Sequence, residues 1–559
     1  MKDPRSLLLI LLGPLVSIAA LPGLMIDTTN LIKLLILGIF AGGLAVSLFT
    51  TRTWLRDKRL HFLLVILGIF FLSMLVPLIF SGSPFDLQLY GSHGRNTGFI
   101  TYLFLILVAL SATTNSNEIL MARISKGIIV TGAIETFYTF LQYFKVDPIN
   151  WHNADGWLFG TFINPDFLSA FLGFSCVVIA AFLFEEKTKL RFRLLLASQL
   201  IATLFIIVKS KAMQGLAITL VGVLVLILIW FRKRFTSKIM IFGYIFLVAF
   251  GSLFSILGFL QRGPLKGLLY QKSITFRGDY WRAGWQMFLH HPLTGVGLDS
   301  YGDWYMKYRT LVATRRGPEV TSTAAHNLFL DFAAYGGILL VLAYLLLNIV
   351  ILISVIRVFR RSQEVGVGFV SISLAWIAYL AQSIISINYI ALAVWGWLFA
   401  GLIIGYERST SMPSTSQNVA EALEKNRKGA RRGSSMADKR SSHAGPIFVG
   451  CIIGAVIALP PFIGDIRWKS ALGSGDPVKL IAAVNAWPRN TYRFDTTAKG
   501  YETNGEVVQA LQLSLSSVAF DARSFDSWNL ILNYPNSSVQ QKALALSKLK
   551  EIDSHYSSR

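Results

Sequence analysis

The sequence is short of charge. Asp, Glu, Lys and Arg make up 15% of its 559 residues, where a soluble domain carries about 25%. Acid is scarcer than base, with 30 Asp and Glu against 52 Lys and Arg, a net charge of +22. Only two cysteines occur, Cys176 and Cys451, both inside apolar runs, so they read as packing residues and not as a disulfide or metal pair. The Gly-x-Gly of HPLTGVG follows no strand and leads to no Gly-Lys-Ser/Thr, so Gly295 and Gly297 suit a tight turn and not a nucleotide loop. His290, His291 and His326 have no cysteine or carboxylate at ligand spacing, so no metal and no cofactor is expected. No basic-aromatic module is present, so no nucleic-acid partner is expected either. No cleavable leader is evident, and Leu7 to Ile26 reads as a first membrane helix.

What is abundant is apolar. Hydrophobic residues make up 53% of the chain, aromatics 13%, and the mean hydropathy is +0.55. Apolar runs near the ~20 residues a bilayer needs fall at about 6–26, 31–50, 60–80, 99–113, 122–144, 165–184, 193–208, 212–231, 239–260, 327–356, 367–385, 389–406 and 446–464. They are too long and too uniformly apolar for barrel strands, so the expected fold is all-α, a polytopic bundle of 12–13 spans. Positive charge falls in alternate loops. Lys187, Lys189, Arg191 and Arg193 fill one and Arg232, Lys233, Arg234 and Lys238 another, while the intervening short loops hold only Arg95, Lys145, Lys209 and Lys211. The positive-inside rule then places the N-terminus in the cytoplasm and the long loop 261–326 outside.

Four regions follow. Residues 1–406 form the membrane unit, and 407–445, Ser-rich and basic, read as a disordered cytoplasmic linker. Residues 446–464 form an additional span that carries 465–559 outward. That last region is patterned as short amphipathic helices and looks like one or two tetratricopeptide-type units, an accessory domain suited to a protein partner.

The outward segment from Arg277 to Gly337 is the longest polar interruption among the spans. On a helix, Trp281, Trp285 and Phe288 share one face, with Tyr280 beside it, as in a helix lying at the membrane surface. Arg277 and Arg282 would then sit at headgroup depth, where guanidinium either clamps a phosphate or pyrophosphate or touches anionic lipid. Lys211 and Arg95 are further outward cations, able to approach the loop or to snorkel at the interface. His326 precedes an apolar run. A helix N-terminus disfavours a charged ring, so His326 is expected to be neutral and able to accept a proton, or else to be a hydrogen-bonded structural residue. Asp331 lies just over one turn on, placed to orient the ring or to cap, and Asn327 suits a structural cap.

These residues together resemble the O-antigen ligase and Wzy-type polymerase superfamily. The pattern reads Arg277, Trp281, His291-Pro292-Leu293-Thr294-Gly295-Val296-Gly297, His326-Asn327 and Tyr335-Gly336-Gly337. Upstream, Gly91 to Gly98 with Arg95, Gln142-Tyr143 and Gly160-Thr161-Phe162-Ile163-Asn164-Pro165 also fit, so the resemblance covers about residues 1–405. It implies a GT-C-type membrane glycosyltransferase that takes a glycan from undecaprenyl pyrophosphate at the outer face of the bacterial cytoplasmic membrane. The acceptor would be a glycan, lipid or protein, and ligase and polymerase remain alternatives. Carried over by position, His326 matches the general base and Arg277 the pyrophosphate-binding arginine. By their own chemistry Arg282, Arg95 and Lys211 are further candidate cations for the pyrophosphate, and His291, Asn327 and Asp331 are candidate supporting residues. Lys211 stands where ligases usually have arginine, which keeps the charge and loses the bidentate fork. No carboxylate is placed to form a covalent intermediate, so inversion at the anomeric carbon is expected. A lipid-linked glycan transporter is the rival of another class, and would show repeated halves and midplane charges. Here Lys33 and Glu135 are among the few such charges. An envelope scaffold with a passive loop is a further rival.

Overall fold

The computed structural model describes residues 3–51, 53–151, 153, 155–235, 237–362, 364–411 and 444–558. Most of the expected linker 407–445 therefore lies outside the described residues.

Helices fall on all thirteen expected spans: α1 (Pro4–Ile18), α2 (Asn30–Thr51), α3 (His61–Phe80), α5 (Phe99–Asn115), α6 (Glu118–Tyr143), α7 (Pro165–Phe184), α8 (Leu190–Lys209), α9 (Met213–Arg234), α10 (Lys238–Phe259), α15 (Leu328–Arg361), α16 (Val367–Ile385), α17 (Ile390–Thr410) and α18 (Ala444–Ser474). Short α4 (Phe85–Tyr90), α11 (Lys266–Leu269), α13 (Tyr301–Tyr308) and α14 (Leu311–Arg316) and the longer α12 (Lys272–His290) lie between them. Ten of the thirteen are long and apolar enough to cross a membrane, while α1 and α5 are short and α6 is too polar. The chain is an all-helical, multi-pass membrane protein, with no strand among the described residues.

One continuous apolar core joins most of these helices. Phe70 of α3 lies at its centre, with the rings of Tyr102, Phe332 and Trp397 at 6.1, 5.5 and 5.4 Å. α7 and α17 are nearly enclosed by protein, whereas α10 exposes its apolar surface along its whole length.

α1 stops at Ile18, well short of the expected Ile26, and side chains account for the early end. The last carbonyls of a helix lack intrahelical donors. Here the ammonium of Lys33 donates to the carbonyls of Val16 and Ser17 at 3.1 and 2.6 Å. Glu135 accepts from the backbone N–H of Thr161 at 3.1 Å and from its hydroxyl at 2.6 Å. Both side chains are fully buried, and both hold backbone in place.

α18 crosses α2 through glycine faces. Gly38 and Gly42 on α2 meet Gly450 and Gly454 on α18 so closely that a Cβ on Gly42 would land on the Gly450 carbonyl oxygen, and one on Gly454 on that of Gly38. Membrane helices pair through such small-residue faces, because lipid is as apolar as leucine and only close backbone approach adds attraction. Gly454→Leu should therefore part the helices and lower the melting temperature in detergent, whereas Gly445→Leu, with nothing within 4 Å, should not. A thermal melt of both variants checks this.

Beyond α18, five short helices pack in succession: α19 (Pro477–Val484), α20 (Thr491–Thr503), α21 (Val507–Phe520), α22 (Phe525–Asn533) and α23 (Val539–Ile552). Asp476, Asn490, Ser524 and Ser538 cap four of them, Ser538 in a full capping box with Gln541. Two small cores hold them together, one around Trp468, Val484 and Phe494 and one around Ile531, Ala545 and Leu549. This region is clamped to the rest of the chain. Arg309 and Asp553 form an ion pair at 2.9 Å with neither side chain exposed. The Arg523 guanidinium lies 3.3 Å above the Trp304 ring, and His93 stacks on Tyr492 at 4.2 Å.

Candidate functional site

The polar segment between α10 and α15 is organised by a break in a helix. At Gly337, φ is +69° and ψ −160°, a conformation almost restricted to glycine. Breaking α15 there leaves carbonyls without donors, and the turn Pro292–Gly297 supplies them. Val296 N–H donates to Ala334 O at 2.8 Å, Gly297 N–H to Tyr335 O at 3.2 Å, and Ile338 N–H to Pro292 O at 2.8 Å. A Cβ on Gly295 would strike Tyr335 O, and one on Gly337 would strike Pro292 O. The His-Pro-x-x-Gly-x-Gly and Tyr-Gly-Gly motifs are thus two halves of one lock, beyond the tight turn expected for Gly295 and Gly297. Gly337→Ala should cost about 1–3 kcal/mol in backbone strain alone. It should depress the melting temperature, read by a thermal melt.

Asp299 ties a second loop to the first. Its carboxylate accepts from the N–H groups of Ser92 at 2.9 Å and Thr97 at 3.3 Å and pairs with Arg95 at 3.3 Å. Arg95 is buried and also donates to the Thr323 carbonyl. Burial works against its charge, but Asp299, with Tyr335, Asp331 and Tyr102 acting in the same direction, outweighs it and holds its pKa above the usual arginine value. Arg95 is therefore a strut of the Gly91–Gly98 loop, and Asp299 is the residue that sequence reading passed over.

His326 sits immediately before the cap of α15, at φ +57°. Non-glycine residues at positive φ are uncommon and cluster at functional sites. Asn96, Ile163, Lys211, Asp299 and His326 all share it, and all lie in the loops that build this corner. His326 Nδ1 lies 3.2 Å from the Ala324 carbonyl, so Nδ1 carries the hydrogen and Nε2 keeps its lone pair. Its ring packs on Tyr280, centroids 5.1 Å apart. Burial lowers its pKa to about 4, the Ala324 contact opposes this, and the Arg277 and Arg95 guanidiniums add to it. The ring is neutral as expected, but burial is the main cause, not the helix N-terminus.

Arg277 lies one turn before Tyr280 on α12, so it reaches the same corner. Its guanidinium pairs with Asp166 at 3.5 Å, and both side chains keep access to solvent. Asn164 caps α7 by accepting from Asp166 N–H at 2.8 Å, with Pro165 at the first helical position, which sets Asp166 on the first turn. Gln214 donates to the Asp166 carbonyl at 2.7 Å and brings the turn bearing Lys211 to the same place. Lys211 is exposed there.

Other expected residues fall elsewhere. Arg282 turns to Asp279 at 3.3 Å, with 66% of its side chain exposed, and Arg316 binds the same carboxylate. It is not on the face that meets His326, since Asp279 takes it instead. Asp331 does not touch the imidazole: it accepts from the Ala325 N–H at 2.7 Å and so fixes the backbone before the ring. Asn327 caps α15 through the N–H groups of Phe329 and Leu330. His291 bonds the Tyr308 hydroxyl at 3.0 Å and packs on Trp304, towards the C-terminal helices, and burial followed by Arg523 lowers its pKa. The aromatic face of α12 is as expected, with Trp281 and Trp285 exposed. Among the described residues no three His, Cys, Asp or Glu side chains are grouped to hold a metal.

An all-helical membrane bundle that gathers a buried imidazole, and a guanidinium near enough to lower its pKa, at the start of a long apolar helix defines a membrane protein with a polar corner at the mouth of a span. Residues 197–345 match the family model described as O-antigen ligase, a stretch that holds Lys211, Arg277, the Pro292–Gly297 turn, His326 and Gly337. The resemblance to the O-antigen ligase superfamily is borne out over that stretch, and it marks an O-antigen ligase/polymerase-like membrane enzyme. No curated protein matches the chain.

Proposed function

We propose that the protein is a glycosyltransferase that moves a glycan from undecaprenyl pyrophosphate to an acceptor hydroxyl. The reaction would take place at the outer face of the bacterial cytoplasmic membrane, with the N-terminus inside and the C-terminal helices outside. The observation that carries this reading is His326, neutral, with Nε2 able to accept a proton, beside the Arg277 guanidinium. The match to the O-antigen ligase model supports a lipid-linked glycan as substrate.

In the proposed step, the acceptor hydroxyl gives its proton to His326 Nε2 as its oxygen bonds the anomeric carbon. The bond from that carbon to the pyrophosphate oxygen breaks, and the electron pair leaves with the lipid pyrophosphate. Arg277 exchanges Asp166 for the departing phosphate, where fixed positive charge lowers the barrier most. Lys211 stands at the same corner as a second cation. The configuration inverts because a single displacement is used. Arg95 and Asp299 keep the loop beside His326 in place, and Tyr280 holds the ring. Lys33 and Glu135 serve as backbone partners, which weakens the rival reading of midplane transport charges.

The test supplies purified protein with undecaprenyl-pyrophosphate glycan and a panel of acceptors and measures released lipid pyrophosphate. Release that depends on acceptor and on His326 is the expected result. No release with any acceptor would favour transport or scaffolding.

A further inference from the structure

The C-terminal helices hold a groove of about 330 Å³ that the transfer chemistry does not use. Gln509, Gln512, Leu513 and Ser516 line it from α21, at spacings of three and four residues that share one helix face. Asn485, at the end of α19, and Tyr501 of α20 close it. None of its lining residues is charged, in a chain of net charge +22. Tyr501 is only 8% exposed, and its hydroxyl has no hydrogen-bond partner in the structure. A buried polar group without a partner costs stability unless a ligand or water completes it.

We propose that this groove binds a neutral glycan, one or two sugar units of the transferred chain at a distance from the reacting end. Carboxamides present a donor and an acceptor in one plane, which suits vicinal hydroxyls. The Ser516 hydroxyl adds a third polar group to the lining, and Leu513 with Ile481 supplies an apolar floor. An anionic ligand would find no counter-charge. The volume lies at the small end of the range for small-ligand pockets, which run to about 300–1,000 Å³, and so suits a short segment better than an extended polypeptide. The buried Arg309–Asp553 pair fixes these helices to the segment that carries His326. A glycan held in the groove would thus stay on the same body as the reacting corner, and its binding energy would serve the reaction at a distance. The choice of a glycan as occupant rests on the transfer reading.

The test uses the intact protein in lipid nanodiscs on a printed array of neutral oligosaccharides (glucans, galactans, mannans and N-acetylhexosamine oligomers) beside uncharged peptides. Retention of at least one neutral oligosaccharide is expected. It should fall about tenfold in Gln509→Ala and in Gln512→Ala, each removing one contact. Gln512 is exposed, so its substitution leaves the fold intact. Equal retention by the wild type and the Gln509→Ala/Gln512→Ala double variant would overturn the proposal, as would retention of peptides instead of sugars. The two readings fail separately. Turnover that survives His326→Ala removes the transfer mechanism, whereas array binding indifferent to the groove variants removes only the second site.

Discussion

His326→Ala is expected to lower turnover by about 10²–10⁴-fold, the usual contribution of a positioned general base. The pH profile tests the same residue independently. Burial, then the Arg277 and Arg95 guanidiniums, push the ring's pKa down to about 4, below its ordinary value near 6.5. The neutral ring is the active form. Protonation therefore disables it only as the pH falls through about 4, and kcat/KM should be level from about pH 5 upward on this limb. An acid limb near 6.5 would mean that the base is solvated and not the buried ring described above.

Arg277→Ala is expected to cost about 10²–10³-fold in kcat, the usual loss when one preorganised donor to a developing charge is removed. Arg277→Lys should fall between, since it keeps the charge and loses the two-pronged donor. Arg282→Ala is the internal control. Its guanidinium faces Asp279 and solvent, so its loss should change the rate only a few-fold. Initial rates at varied donor concentration for the three variants decide the matter. A loss in Arg282→Ala as large as in Arg277→Ala would show that the pyrophosphate site has been misplaced along α12.

The spans were legible because hydropathy over about twenty residues is a local property, and a helix stands at every run expected to cross. The neutrality of His326 was legible too, though its cause was not, since burial depends on what Tyr280 and the neighbouring loops bring to the ring. Non-local partnerships stayed hidden. Nothing near Asp299 in the sequence says that it answers Arg95, 204 positions upstream by numbering. Gly337 read as one more residue of the apolar run 327–356, and only the carbonyls it strands at Ala334 and Tyr335 explain why the Pro292–Gly297 turn must face it. α1 ended early for a similar reason, because Lys33 of the next helix caps it. Arg277 and Arg282 looked alike by composition, and a carboxylate one turn away separates them.

The Arg309–Asp553 pair joins residues 244 positions apart. A ribosome releases Arg309 long before Asp553 exists, so during synthesis the segment between α10 and α15 waits with a guanidinium that has yet to meet that carboxylate. Closure of that pair needs the last helices to be translated and docked. The order of synthesis therefore leaves the link between the segment that carries His326 and the C-terminal helices open until Asp553 has been made.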